Sequence, residues 1–287
     1  MSKQLVMLAM SSAPLDARQM ARVDDESPFP TFPRVIYRKN PLEFVVCEFR
    51  FPAILNIELE VPAKFQEAVR SEYPIFQENV AANFGPPELL KLLSNANVLP
   101  SGKSYEFQSI SGEWKIVLTR QSLSLTCTKY KRWDEFQRRL ELPFGALISA
   151  YSPELFVRIG LRYRDLISRE RLGLTDVGWG DLLQPGFVDI FHTPFAPMLL
   201  NSWQQVTLKL PRPGTQVTVQ HGLVQASPQS EICYVFDSDF STDSRTEPND
   251  AIELLRFFNR HSWSVFRSWI SDRLHAAMEP EPAERNR

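Results

Sequence analysis

One series of secondary-structure patterns occurs twice along this chain of 287 residues. Each series starts with a segment rich in β-branched and aromatic residues, which is typical of a strand: residues 43–51 in the first half and 155–166 in the second. A helix, three strands and a long amphipathic helix follow in both halves. Since short turns join the strands, they are expected to pair antiparallel. The sequence therefore predicts an α+β tandem pseudo-repeat, each half an antiparallel sheet covered by a long helix.

Prolines punctuate the elements of the first half. Pro62 suits the first position of a helix over residues 62–73, and Pro74 stops that helix. Pro143 is expected to kink or interrupt a second helix that runs from about residue 131 to 151. Between the two helices, the residue pattern predicts strands at roughly 105–110, 114–120 and 122–128.

The second half is expected to repeat this order. A short helix is predicted over residues 175–183, followed by strands near 203–210, 215–220 and 232–236. A long helix over residues 249–278 closes the unit, with Pro248 before it and Asn249 as its N-cap. Its predicted buried face consists of Ile252, Leu255, Phe258, Phe266, Ile270 and Leu274.

These patterns divide the chain into four segments. Residues 1–31 are polar and without a clear period, so they are predicted to form a flexible N-terminal arm. The first repeat takes residues 32–152, and the second takes residues 153–278 and packs against the first. Residues 279–287 carry two prolines and several charges, which predicts a disordered tail.

The composition argues against several classes of partner and cofactor. The 32 basic and 34 acidic residues give a net charge of −2, so no broad attraction to nucleic acid is expected. No apolar run is long enough to cross a bilayer, so no membrane association is expected. The three widely spaced cysteines fit neither a disulfide framework nor a zinc site, which favours a reducing, cytoplasmic location: Cys47, Cys127 and Cys233.

A set of short motifs occurs in a fixed order along the chain. The set includes Trp114-Lys-Ile-Val-Leu-Thr, Tyr130-x-x-Trp133-x-x-Phe136, Arg158-Ile-Gly-Leu-Arg-Tyr163 and Ile270-Ser-Asp-Arg-Leu-His275. In these motifs the chain resembles a sporadically distributed family of uncharacterised bacterial and archaeal proteins, from about residue 34 to 278. The family has no established activity, so the resemblance implies no catalytic residue. Its patchy distribution implies a horizontally moved gene of the kind found in mobile-element or defence-associated loci.

The strand that opens the second half carries an unusual row of arginines. Alternation along a strand places Arg158, Arg162 and Arg164 on one face, together with Phe156, opposite a plainly apolar face. In the matching strand of the first half, Glu48 and Arg50 share a face. If the two strands lie near the centre of one sheet, these five charged side chains converge.

Two interpretations of this row remain open. Because the guanidinium fork suits carboxylates and phosphates, Arg158, Arg162, Arg164, Arg50 and Glu48 are candidates for binding an anionic ligand or a protein partner. The alternative is a structural, solvated sheet face in which Glu48 and Asp165 pair with the arginines.

No catalytic, metal or cofactor site is predicted from local motifs. The acidic series from Asp237 has Thr242 and Pro248 where a calcium loop needs glycine and glutamate. Gly102-Lys-Ser104 ends like a phosphate-binding loop but lacks the leading glycine and the following helix. The four histidines show no metal-ligand spacing.

The sequence favours a non-enzymatic binding or interaction component with a protein partner or a second copy of itself. The first alternative is a protein that binds a small anionic ligand between sheet and helix through the arginines. The second alternative is an enzyme whose site shows no recognisable motif.

Overall fold

The computed structural model of the protein describes residues 29–80, 102–227 and 229–283. Its largest element is a sheet of nine strands in which all neighbouring strands are antiparallel. Two long helices lie on one face of this sheet. Within the described ranges, no helix is both long enough and apolar enough to span a bilayer. The predicted α+β class with antiparallel strands is confirmed.

The first half of the chain supplies five strands of the large sheet and one of its long helices. The strands are β2 (Leu42–Arg50), β3 (Ile75–Val80), β4 (Lys103–Gln108), β5 (Trp114–Thr119) and β6 (Ser122–Cys127), and a short β1 (Val35–Tyr37) precedes them outside the large sheet. The helices are α1 (Asn56–Leu59), α2 (Ala63–Val69) and the long α3 (Trp133–Tyr151).

The second half supplies the other four strands and the second long helix. The strands are β7 (Arg158–Ile167), β8 (Ser202–Lys209), β9 (Thr215–Gln225) and β10 (Ile232–Thr242), and a terminal β11 (Pro280–Pro282) pairs with β1. The helices are α4 (Arg169–Leu172), α5 (Trp179–Leu182), the long α6 (Ala251–Trp269) and α7 (Asp272–Ala277). Short 3₁₀ helices cover Asp189–His192, Ala196–Met198 and Pro248–Asp250.

The first strand of each half lies at the centre of the sheet. The strand order is β3-β4-β5-β6-β2-β7-β10-β9-β8, so β2 and β7 join the two halves. Their register pairs Val46 with Arg162 and Cys47 with Leu161. The charged rows of these two strands therefore lie side by side, as their sequences predict.

The core lies between the sheet and the two long helices. Alternation turns Cys47, Phe49 and Leu161 toward the helices, and each is fully buried. Phe136 on α3 and Phe258 on α6 are buried against this face. Burying one such aromatic side chain stabilises a fold by about 2 to 3 kcal/mol, so this face of the sheet holds the helices in place.

The first half contains four strands between its helices, where the sequence analysis predicted three. The additional strand, β3, begins directly after Pro74. The helix before it ends at Val69, so it is shorter than the predicted helix over residues 62–73 and Pro74 is not what ends it. The first two residues of β3, Ile75 and Phe76, are apolar, adjacent and partly exposed. Because the period-2 alternation of a half-buried strand is missing there, the pattern gave no signal for this edge strand.

Pro143 does not interrupt its helix. α3 runs without a break from Trp133 to Tyr151, with Pro143 buried inside it. Proline removes the hydrogen bond to the carbonyl four residues earlier, and here the hydroxyl of Tyr73 donates to that carbonyl, which belongs to Arg139. A donor from outside the helix therefore replaces the missing one.

The predicted helix over residues 249–278 is two helices. α6 ends at Trp269 because Ile270 adopts extended backbone angles and forms a β-bridge with Leu183. Ser271 then caps α7 by accepting a hydrogen bond from the backbone N–H of Leu274. Asn249 lies in the 3₁₀ turn before α6 and is not its N-cap.

The predicted disordered tail is wrong for its first residues. Pro280–Pro282 pair with Val35–Tyr37, and Lys39 forms an ion pair with Glu279 at 2.9 Å. Residues 284–287 and the first 28 residues of the predicted N-terminal arm lie outside the described part of the chain. Phe29, near the end of that arm, packs against the core.

Candidate functional site

The predicted arginine row lies on the face of the sheet that the helices leave open. Arg158 donates to Glu48 at 2.8 Å and to Asp239 at 2.6 Å, so its guanidinium group bridges β2 and β10. Arg50 pairs with the same Glu48 at 2.9 Å. Each of these guanidinium groups therefore has a carboxylate partner on the sheet itself.

The other two arginines meet at Asp237. Arg162 binds Asp237 with two parallel hydrogen bonds of 2.7 and 2.6 Å. Arg164 donates to Glu43 at 2.7 Å and lies 3.4 Å from Asp237. Only 3% of the Asp237 side chain is exposed. The positive charges of the two arginines therefore compensate the buried negative charge of this carboxylate.

These contacts form a central ion-pair cluster of four arginines and four carboxylates. Its members are Arg50, Arg158, Arg162 and Arg164 with Glu43, Glu48, Asp237 and Asp239. The numbers of positive and negative charges are equal, and every guanidinium group contacts at least one carboxylate. The structure thus brings all five predicted site residues together, while their predicted role in binding a ligand or partner stays a prediction.

Two details of the predicted row differ in the structure. Asp165 is not an ion-pair partner of the arginines, because alternation along β7 turns it to the opposite, buried face. Phe156 is fully buried against Phe49 and Phe144, and the neighbouring Val157 is 41% exposed. Regular alternation holds from Arg158 onward, where β7 begins, and fails before it.

A cavity of about 410 Å³ lies on the other side of the sheet. Its floor is the helix-facing side of β7 and β10, and its walls come from β1, α6 and the start of α3. None of the five predicted site residues lines it. Six aromatic side chains do: Tyr37, Tyr130, Trp133, Tyr163, Trp263 and Phe266.

Asp165 brings a carboxyl group into the floor of this cavity. It is 4% exposed, it lines the cavity, and it has no hydrogen-bond or ion-pair partner among the described residues. Burial raises the pKa of Asp165 well above its usual range, and the negative charges of Asp237 and Glu43 raise it further. The carboxyl of Asp165 therefore lines the cavity with no partner from the described residues.

Several other polar groups of the cavity form hydrogen bonds with Asn259. Tyr163 donates its hydroxyl hydrogen to Oδ1 of Asn259 at 3.1 Å, and Arg34 contacts the same amide and the Asn259 carbonyl. Ser262 donates to the Asn259 carbonyl at 2.9 Å. Burial raises the pKa of Tyr163 to about 12, so its hydroxyl keeps its proton at neutral pH.

Tyr37 connects the cavity to the C-terminal helix. Its hydroxyl lies 2.6 Å from Nδ1 of His275 in α7. Burial lowers the pKa of His275, and the positive charge of Arg267 lowers it further. Because β1 also pairs with β11, both the backbone of this wall and the side chain of Tyr37 are held in place by hydrogen bonds.

Apart from Asp165, the charged residues that line the cavity are exposed and mostly basic. Arg34, Lys131, Arg132 and Arg260 line it together with the exposed Asp134. Arg260 lies 3.5 Å from Glu253. The cavity therefore has an acidic floor and a mouth with an excess of positive charge.

Sequence reasoning missed this cavity but had one signal for it. Asp165 lies on the same face of β7 as Ile159, Leu161 and Tyr163, so it is a carboxyl in an otherwise apolar row. A charged residue on the buried face of a strand is rare unless it is paired or functional. The remaining lining residues come from separate elements, and no local pattern connects them.

Neither of two comparisons with known proteins finds a match for this chain. No protein-family model matches it, and no curated protein is similar to it. Within residues 29–80, 102–227 and 229–283, no three His, Cys, Asp or Glu side chains are grouped closely enough to hold a metal ion.

Proposed function

We propose that this protein is a non-enzymatic binding component that holds one small molecule in the cavity between its sheet and its long helices. The observation that carries the proposal is the buried carboxyl of Asp165, which lines the cavity without a partner among the described residues. An unpaired polar group in a protein interior costs free energy, and an apolar side chain of similar size avoids that cost. A ligand that supplies the missing partner explains why an aspartate occupies this buried position.

The size and lining of the cavity support this proposal. Its volume of about 410 Å³ lies within the range of pockets that enclose small ligands. Such pockets are mostly apolar and aromatic, with a few convergent polar groups. Six aromatic side chains, with Asp165, Asn259 and Ser238, give this composition here.

A cavity-filling variant tests the proposal. We expect a screen of small metabolites by thermal shift to find compounds that raise the melting temperature of the wild type. Ser262→Phe places a ring inside the cavity and should abolish those shifts. Ser264→Phe, two residues further along α6 and not part of the lining, should keep them. Shifts that survive Ser262→Phe would show that the ligand binds elsewhere.

A second candidate function, self-association, is favoured by the edge strand β8. β8 ends the sheet order, and seven of its eight residues are uncharged, with Lys209 as the exception. Trp203 on this strand is 50% exposed, and Phe195, Met198 and Leu200 before it are also exposed. Proteins usually protect an open sheet edge with charges, prolines or a covering element.

We propose a second copy of this chain as the partner at this edge. An antiparallel strand complements itself about a twofold axis, so one interface satisfies the edges of both copies. Trp203→Lys should then convert a dimer into a monomer in light scattering coupled to size exclusion. Ile110→Lys alters a side chain that is 84% exposed in a turn, and it should leave the dimer intact. A wild type that is monomeric at every concentration would contradict this second candidate.

We also propose that the two halves of the chain are copies of one unit. In support, within the large sheet the first strand of each half (β2 or β7) pairs with the last (β6 or β10), and the other strands of that half lie beyond the last one in reverse chain order. A long helix follows these strands in each half. The cytoplasmic location and the link to a mobile-element or defence-associated locus rest on the sequence and stay predictions.

A further inference from the structure

The floor and the mouth of the cavity carry opposite chemistry. Asp165 at the floor is 4% exposed, while Lys131, Arg132 and Arg260 at the mouth are all exposed. The fourth basic residue of the lining, Arg34, reaches inward and contacts Asn259. Water and salt screen exposed charges strongly and buried charges weakly. A ligand group beside Asp165 therefore experiences mainly this carboxyl and the aromatic rings around it.

The interior favours a positively charged group. Aromatic side chains attract cations through their ring faces, and recognition of ammonium groups by aromatic residues is a recurrent use of this interaction. A carboxylate beside such a cage adds a direct counter-ion. Both features occur here, since six aromatic residues and Asp165 line the same cavity.

The mouth favours a negatively charged group at the other end of the ligand. Lys131 and Arg132, at the start of α3, have no ion-pair partner among the described residues. A plain amine must pass these positive charges, whereas a molecule with an anionic group finds partners in them. The lining as a whole therefore matches a zwitterion.

We infer that the ligand is a small amino compound whose ammonium group meets Asp165 at the floor and whose anionic group meets the basic side chains at the mouth. This inference rests on the proposed function, because it assigns the chemistry of the same cavity. The negative charges of Glu43 on β2 and Asp237 on β10 act on Asp165 from the other face of the sheet. Tyr37 on β1 lies near Asp165, contacts His275 and lies near Arg267.

Binding of an amine at Asp165 is expected to release a proton. Burial and the two neighbouring carboxylates raise the pKa of Asp165, which favours the protonated acid in the empty cavity. An ammonium ion favours the ionised carboxylate, so binding transfers the Asp165 proton to the solvent. Affinity should rise with pH for an amine and should not rise for a neutral or anionic ligand.

A matched series of four probes tests the assignment on the full-length protein by isothermal titration calorimetry. The series is phenylalanine, phenethylamine, 3-phenylpropionate and 2-phenylethanol, which differ in charge and share one ring. We expect phenylalanine to bind at least about tenfold more tightly than 2-phenylethanol, as a charged hydrogen bond supplies such a factor. Titrations in buffers of different ionisation enthalpy should show release of about one proton per bound phenylalanine.

Two variants separate the ends of the ligand. Asp165→Asn should weaken phenylalanine and phenethylamine by at least about tenfold and leave 3-phenylpropionate almost unchanged. The double variant Lys131→Gln, Arg132→Gln should weaken phenylalanine and 3-phenylpropionate and spare phenethylamine. Proton release by the wild type needs no variant, so the test stands even if Asp165→Asn fails to fold.

The outcomes distinguish this inference from the proposed function. If 3-phenylpropionate or 2-phenylethanol binds as tightly as phenylalanine, or no proton is released, the ligand class is wrong. Binding of that kind that Ser262→Phe abolishes would still support a ligand cavity. If no probe binds and the metabolite screen finds nothing that Ser262→Phe removes, both proposals are overturned.

Discussion

The hydroxyl of Tyr73 donates a hydrogen bond of 3.2 Å to the backbone carbonyl of Arg139. This carbonyl lies four residues before Pro143, which has no N–H to donate to it. Tyr73 is 1% exposed, and it comes from the segment that follows α2. One buried side chain therefore completes the hydrogen bonding of α3 and joins α2 to it.

Tyr73→Phe should destabilise the protein by about 1 kcal/mol, because it leaves the Arg139 carbonyl without a donor and keeps the ring in place. The free energy of unfolding from urea titration measures this change. In a Pro143→Ala background the loss should be smaller, since an alanine at this position can supply the helical N–H that proline lacks. An equal loss in both backgrounds would show that the tyrosine acts independently of the proline.

Tyr105→Phe is the matched control. Tyr105 is also fully buried, but its hydroxyl has no hydrogen-bond partner among the described residues. Removing an unpaired buried hydroxyl should leave stability unchanged or increase it slightly. A loss at Tyr105 as large as that at Tyr73 would indicate that both changes act through packing.

Asp165 should make the wild type less stable as the pH rises. In the unfolded chain this carboxyl has a pKa of about 4. Burial raises its pKa in the folded protein. Between these two pKa values the unfolded state binds fewer protons, so stability falls by at most about 1.4 kcal/mol per pH unit. Asp165→Asn should remove this slope, so its advantage in urea titrations grows from pH 4 upward.

Asp176→Asn provides the control for this profile. Asp176 is exposed in the loop before α5. Its substitution should leave the difference from wild type constant across the pH series. If Asp165→Asn behaves in the same way, the carboxyl of Asp165 is not held in an unfavourable environment.

The sequence predicts the faces of β7 but not the partners of its arginines. Alternation correctly places Arg158, Arg162 and Arg164 opposite Ile159 and Leu161. Two of their four carboxylates come from β2, and the other two come from β10, more than seventy residues away along the chain (75 residues separate Arg162 from Asp237). Only the strand order brings β10 beside β7, and strand order is a property of the folded sheet.

Asp165 shows how alternation decides which residues can pair. One interpretation of the sequence pairs it with the arginines, yet the same alternation that aligns the arginines puts Asp165 on the other face. β10 was also predicted to end near residue 236 and continues to Thr242. Asp237 and Asp239 therefore lie within a strand, where they meet the arginines, and not in a loop.

The cavity could not be predicted, because the residues that line it come from well-separated regions of the chain. Tyr37 follows the N-terminal arm, Trp133 starts α3, Asp165 lies in β7 and Trp263 lies in α6. Each of these residues has an ordinary local pattern for its own element. Their meeting depends on how the two long helices cover the sheet, which hydrophobic periodicity does not specify.

Arg162→Met should destabilise the protein by about 3 kcal/mol, because it leaves the buried carboxylate of Asp237 with only the more distant Arg164. Asp237→Asn in the same background should recover part of the loss, since it removes the uncompensated charge. Urea titration of both variants gives the two values. A stable Arg162→Met protein would instead favour the predicted binding role of the arginine.

Arg70→Met gives the scale for an exposed ion pair. Arg70 lies 2.7 Å from Glu67, and both side chains are about two-thirds exposed (64% and 67%). Such pairs contribute about 0.3 kcal/mol. The contrast with Arg162→Met separates loss of buried charge compensation from loss of a positive charge at the surface.

His221 should make the protein less stable as the pH falls. It is 2% exposed, its Nδ1 lies 2.8 Å from the Tyr234 hydroxyl, and burial lowers its pKa from 6.5 to about 4. Between these values the unfolded state binds a proton that the folded state excludes, so stability is lost from pH 6.5 down to about 4. His221→Gln should flatten this part of the profile, while His192→Gln, at an exposed histidine, should not. Because Asp165 acts with the opposite sign, only the double variant Asp165→Asn, His221→Gln should remove both slopes, and the single variants should each retain one.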